Sequence, residues 1–166
     1  MRASLLALPL LLACTGPALA DACDALAARM IRATGASVAG RRGSLAVFRA
    51  ADADRMSLEC RKPARLVLGS HEREPDRRFF TLVGLAAEGL AGAPRDEATV
   101  LALRLHQDSL LAGAPQEGSV GRASLRCETG PRGDGLGQNL TVCVLRPREP
   151  AILRSRAGLS PAASAG

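Results

Sequence analysis

Residues 76–90 (DRRFFTLVGLAAEGL) constrain the fold of this chain more than any other stretch: they hold two of its three Phe, and it has no Tyr or Trp. Most of the aromatic volume for a core therefore lies here. At helical spacing Phe79, Leu82, Val83, Ala86 and Leu90 form one apolar stripe, and Phe80 and Ala87 a second beside it. Only Arg77, Arg78, Thr81 and Glu88 are left as the polar remainder. A helix so apolar is expected to be buried on most sides. Pro75-Asp76 marks its start, since the Asp side chain can accept from free first-turn amides and its charge suits the helix N-terminus. Residues 89–92 and Pro94 mark its end. The run is shorter than the roughly 20 apolar residues that span a bilayer, and it has an Arg pair at one end.

The first 20 residues have one positive charge (Arg2), an apolar run over 5–13, and Ala18-Leu19-Ala20 before Asp21. That is the layout of a secretory signal peptide, with cleavage expected after Ala20. A second route is offered by Leu11-Leu12-Ala13-Cys14, which is close to a bacterial lipobox with Cys14 as the lipidated first residue. Leu12 stands where a small residue is usual, so ordinary cleavage is the expectation. Both routes leave Cys23, Cys60, Cys127 and Cys143. An even number in an exported chain reads as two disulfides of an oxidising compartment, with three connectivities open. The spacings are too wide for a structural zinc site.

Removal of the leader takes the formal charge from +6 to +5, and every basic residue except Lys62 is Arg. These charges are scattered along the chain. With Phe48 the only aromatic residue outside 76–90, the interleaved aromatic and basic pattern of single-strand nucleic-acid binders is missing. A solvated basic surface is the expectation, with weak attraction to anionic surfaces such as a membrane or cell-wall polymer.

In chain order, residues 21–34 read as an amphipathic helix with Cys23, Leu26, Ala27 and Met30 on one face. Short strands follow over 36–40, 44–49, 56–60 and 65–69, and 70–75 is a charged loop. A second helix is predicted over 95–111 and a loop over 113–119. A hairpin then joins 120–128 to 138–146, with Leu125 and Cys127 on one face and Leu140, Val142 and Val144 on the facing strand's apolar side. That phase puts Cys143 on the opposite face, so a Cys127–Cys143 link would need a bulge. Ser57-Leu58-Glu59-Cys60 and Ser124-Leu125-Arg126-Cys127 echo one another. The expected organisation is a signal peptide (1–20), one α+β domain (21–146) with an antiparallel sheet of about five strands packed against the central helix, and a disordered tail (147–166).

No catalytic, cofactor or metal constellation emerges. A GxSxG elbow is absent, and the glycines of 130–137 precede a strand rather than the helix a phosphate loop requires. Arg132-Gly133-Asp134 and its neighbours suit a hairpin tip. His71, with Glu72, Glu74 and Asp76 nearby, reads as a loop of solvated charges. His106 reads as a partly exposed helix residue. The expectation is a noncatalytic, exported binding module of the periplasm or envelope, with an unknown protein or envelope component as partner, no nucleic acid, no cofactor and no transmembrane segment in the mature chain. The alternative is a small secreted, hydrolase-like enzyme with an unrecognised site.

Overall fold

A computed structural model describes residues 18–130 and 140–148. The expected leader and tail fall largely outside these residues, as does most of the 130–137 glycine loop. The fold is α+β. Helix α1 (Ala18–Thr34) leads into strands β1 (Ser37–Arg42), β2 (Leu45–Ala50), β3 (Ala53–Glu59) and β4 (Arg65–Ser70). Helices α2 (Arg77–Ala91) and α3 (Arg95–Ala112) follow, then β5 (Gln116–Val120), β6 (Ala123–Thr129) and β7 (Thr141–Pro147). The strands form one antiparallel sheet in the order β1-β2-β3-β4-β7-β6-β5. Two meanders thus meet where β7 returns to pair with β4.

The sheet has seven strands where about five were expected. The largest departure is β5, which forms over residues whose sequence predicts a loop. QEGSV has little strand propensity, and pairing with β6 from Gln116↔Cys127 to Val120↔Ala123 imposes its conformation. Gly118 lets the Leu101 side chain of α3 pack directly on the strand, since a Cβ there would lie 2.9 Å from Leu101 Cδ1.

One row of inward side chains crosses the centre: Leu58 pairs with Leu66, Leu66 with Leu145, and Leu145 with Leu125. All four are buried under the helices. The two echoing tetrapeptides therefore lie on corresponding strands, β3 and β6, each next to the β4–β7 seam. α2 packs over β4, β7 and β6, α3 over β5 and β6, and α1 on α2. The opposite sheet face carries exposed Leu45, Val47, Arg49, Arg55, Arg65, Arg126, Glu128 and Arg146.

α2 starts and stops as its sequence predicts. Asp76 Oδ1 accepts from the Arg78 amide at 2.8 Å, and Gly92 takes a left-handed φ of 65° while its N–H reaches back to Glu88 O. Phe79 and Phe80 are both buried, edge to face with centroids 5.3 Å apart. Phe80 packs towards α3, its ring 5.1 Å from that of His106, and Phe79 lies by the β2–β3 turn.

The disulfides are Cys23–Cys60, which ties α1 to the end of β3, and Cys127–Cys143, which joins β6 to β7. The second corrects the phase expected for β7. Cys127 and Cys143 are direct cross-strand partners in an unbroken register, so no bulge is needed. Thr141, Cys143 and Leu145 point inward and Val144 is half-buried on the other face. The run TVCVL is apolar in both phases because Val67, Val142 and Val144 line the middle of the outer face, so alternation alone does not reveal which side meets the helices.

Candidate functional site

The scattered arginines converge. On α1, the burial of Leu26, Ala27 and Met30 turns Arg29 and Arg32, one turn apart, onto an exposed flank with Ala33 beside them. The last turn of α2 lies against this flank because residue 89 is glycine: a Cβ there would meet Met30 Cε at 2.5 Å and Ala33 Cβ at 2.8 Å. Across the cleft, the β5–β6 turn presents Arg122 just after Gly121, whose φ is 53°. Arg148 follows the end of β7, its amide donating to Arg122 O at 2.7 Å. The Arg148 guanidinium is anchored by Ser119 Oγ at 2.8 Å, and Arg122 Nη2 lies 3.2 Å from where a Gly92 Cβ would stand.

Together these elements enclose an open cleft of about 800 Å³ lined by Arg29, Arg32, Arg122 and Arg148, with Glu88 as its one acid and Ala33, Leu90, Ala91 and Pro147 as its apolar surface. None of the four arginines forms an ion pair among the described residues. Their charge is partly opposed by the C-terminal end of α2, where backbone carbonyls carry partial negative charge. The remainder makes the cleft a focus of positive potential beside apolar surface. A second basic group on the outer sheet face, Arg65, Arg126 and Arg146 around a 270 Å³ depression, is closer to balance. Glu117 and Glu128 share that depression, and Glu117 pairs with Arg126 at 3.3 Å.

The residues weighed for chemistry do not gather at either place. His71 is exposed, its amide donating to Asp54 Oδ2 at 2.6 Å. His106 is not the partly exposed residue expected but 5 % exposed, because α3 turns it towards Phe80 and β6. Its Nδ1 lies 2.9 Å from Thr129 Oγ1, and Ser109 Oγ lies 2.9 Å from the same oxygen and donates to His106 O at 2.8 Å. With Ser109 at 0 % and Thr129 at 8 % exposure, this serine–histidine–threonine cluster is buried between α3 and β6. Burial pushes the His106 pKa down, against a smaller upward pull from Glu74. Among the described residues no three of His, Cys, Asp and Glu gather as a metal set.

Sequence reasoning missed the cleft because its arginines come from opposite ends of the domain. The one local signal was the i, i+3 spacing of Arg29 and Arg32. No family model, curated protein or solved structure matches the chain. Among the described residues no helix is long and apolar enough to cross a membrane. Two disulfides fit a location outside the cytoplasm.

Proposed function

We propose that the chain is an exported, disulfide-stabilised, noncatalytic binding module of the periplasm or cell envelope, and that its partner is anionic. The observation that carries this reading is the convergence of Arg29, Arg32, Arg122 and Arg148, with Glu88 as the one acid, on a single open cleft. Export rests on the signal-peptide layout of residues 1–20 and fits the two disulfides. The noncatalytic reading rests on the placement of the histidines: His106 is enclosed with Ser109 and Thr129, and His71 stands on an exposed loop with an acid as its partner.

The test is capture from envelope extract on the immobilised mature chain, with the bound component and the mature N-terminus identified by mass spectrometry. The expected partner is acidic, is released near 1 M salt, where the Debye length falls to about 3 Å, and is lost when all four arginines are changed to Gln. A partner retained equally by the fourfold variant and at high salt would place binding elsewhere. A diacylated Cys14 as the first residue would replace free export by lipid anchoring.

A further inference from the structure

The cleft leaves its own charge unbalanced: four guanidinium groups face one carboxylate, a surplus of three positive charges. Its walls are built independently. Arg29 and Arg32 project from α1, whereas Arg122 and Arg148 are tied to each other through the backbone, the Arg148 guanidinium is anchored on Ser119, and the Arg122 guanidinium lies beside the α2 cap at Gly92. A ligand entering between the walls therefore meets donors from both sides. All four cations are arginines, whose planar fork of N–H groups binds a tetrahedral or planar oxyanion through two parallel hydrogen bonds. Leu90, Ala33, Ala91 and Pro147 supply apolar surface within the same cleft.

Resting on the binding reading above, we infer that the cleft takes a phosphate-class anion of two or more charges, with guanidinium groups from both walls on the phosphate oxygens. A single carboxylate would leave most of the surplus uncompensated, whereas a phosphomonoester, with about 1.5 to 2 negative charges at neutral pH, offsets at least half of it and a diphosphate comes closest to balancing it. The apolar residues lie under the uncharged remainder of the ligand. The phosphate arrives either on the head of an amphiphile or on a free phosphorylated compound. The outer sheet face does not share this capacity, since Arg126 is already committed to Glu117 and Glu128 stands beside it.

Titration calorimetry of the mature chain with pyrophosphate, and flotation with phosphatidylcholine vesicles with and without phosphatidate, test the inference. Pyrophosphate is expected to bind at one site, with affinity reduced about tenfold or more in the Arg122→Gln, Arg148→Gln variant. Arg29→Gln, Arg32→Gln, on the exposed flank of α1, gives the same loss should the first pair disturb folding. Arg65→Gln, Arg146→Gln leaves binding unchanged, and Glu88→Gln strengthens it. Flotation with phosphatidate vesicles alone assigns the phosphate to a lipid, and pyrophosphate binding without flotation assigns it to a free compound; both support the inference. Failure of both probes overturns it, as does binding that survives loss of either arginine pair in a folded variant. Polyglutamate competing as strongly as pyrophosphate also overturns the phosphate assignment while leaving the anionic-partner reading intact. Failure of every anion, together with arginine-independent envelope capture, removes both.

Discussion

Burial makes His106 a probe of how the core responds to acid. The neutral ring accepts at Nδ1 from the Thr129 hydroxyl when its proton sits on Nε2; a protonated ring must donate there instead and carry a charge beneath Phe80. Desolvation accordingly lowers its pKa, with Glu74 opposing and Arg73 reinforcing the shift. Since the unfolded chain keeps the ordinary value of about 6.5, it binds more protons than the folded chain between that value and the lowered one. Stability should therefore fall as pH drops below about 6.5, and the decline should end once pH passes the folded pKa. Denaturation midpoints across this range should show a shallower slope in His106→Asn than in the parent, and equal slopes would show that other groups set the dependence. The sequence did not place this histidine inside. α3 carries Val100, Leu101, Leu103, Leu105, Leu110 and Leu111 around its whole circumference, so no single stripe identifies its inner side.

The ends of α2 were legible because Asp76 and Gly92 act through local backbone chemistry. Its apolar faces were legible because Phe79, Phe80, Leu82 and Val83 recur at helical spacing, and all four are buried. What its glycines do was not legible, because close approach is a property of the partner. Gly84 lets α3 cross so closely that an added Cβ would overlap Thr99 Oγ1 and lie 2.6 Å from Arg95 O. Gly84→Ala gains about 1 kcal/mol of helix propensity but forces backbone apart at this crossing. Overpacking of this kind typically costs about 1 to 3 kcal/mol, so the net change should be destabilising. Phe80→Ala should cost more, about 3 to 5 kcal/mol, through the cavity it leaves, while exposed Arg78→Gln should stay within about 0.5 kcal/mol. Urea midpoints of the three variants would rank them, and a stabilised Gly84→Ala would mean that the helices cross less closely than this. β5 and β7 were misread for the same underlying reason. The conformation of QEGSV and the inner side of TVCVL are set by β6, β4 and α3, which no local pattern reports.

The two disulfides differ in what the rest of the fold already supplies. Cys127 and Cys143 are held opposite each other by the β6–β7 ladder, so their bond reinforces an existing pairing. α1 has no such ladder: it packs mainly on α2, and Cys23–Cys60 is its covalent tie to the sheet. Loop closure points the same way, because the bonds span sequence separations of 37 and 16 residues. In the chain-entropy account these correspond to about 4 and about 3 kcal/mol of stabilisation. Cys23→Ala, Cys60→Ala should therefore lower the denaturation midpoint more than Cys127→Ala, Cys143→Ala, and it should raise amide exchange selectively along α1. Arg29 and Arg32 ride on that helix, so loosening it also loosens one wall of the cleft while Arg122 and Arg148 stay fixed to each other. Pyrophosphate affinity should fall in the first variant and hold in the second, both measured under conditions where the chain is folded. Equal midpoints in the two variants, with unchanged exchange along α1, would show that packing on α2 alone secures this helix.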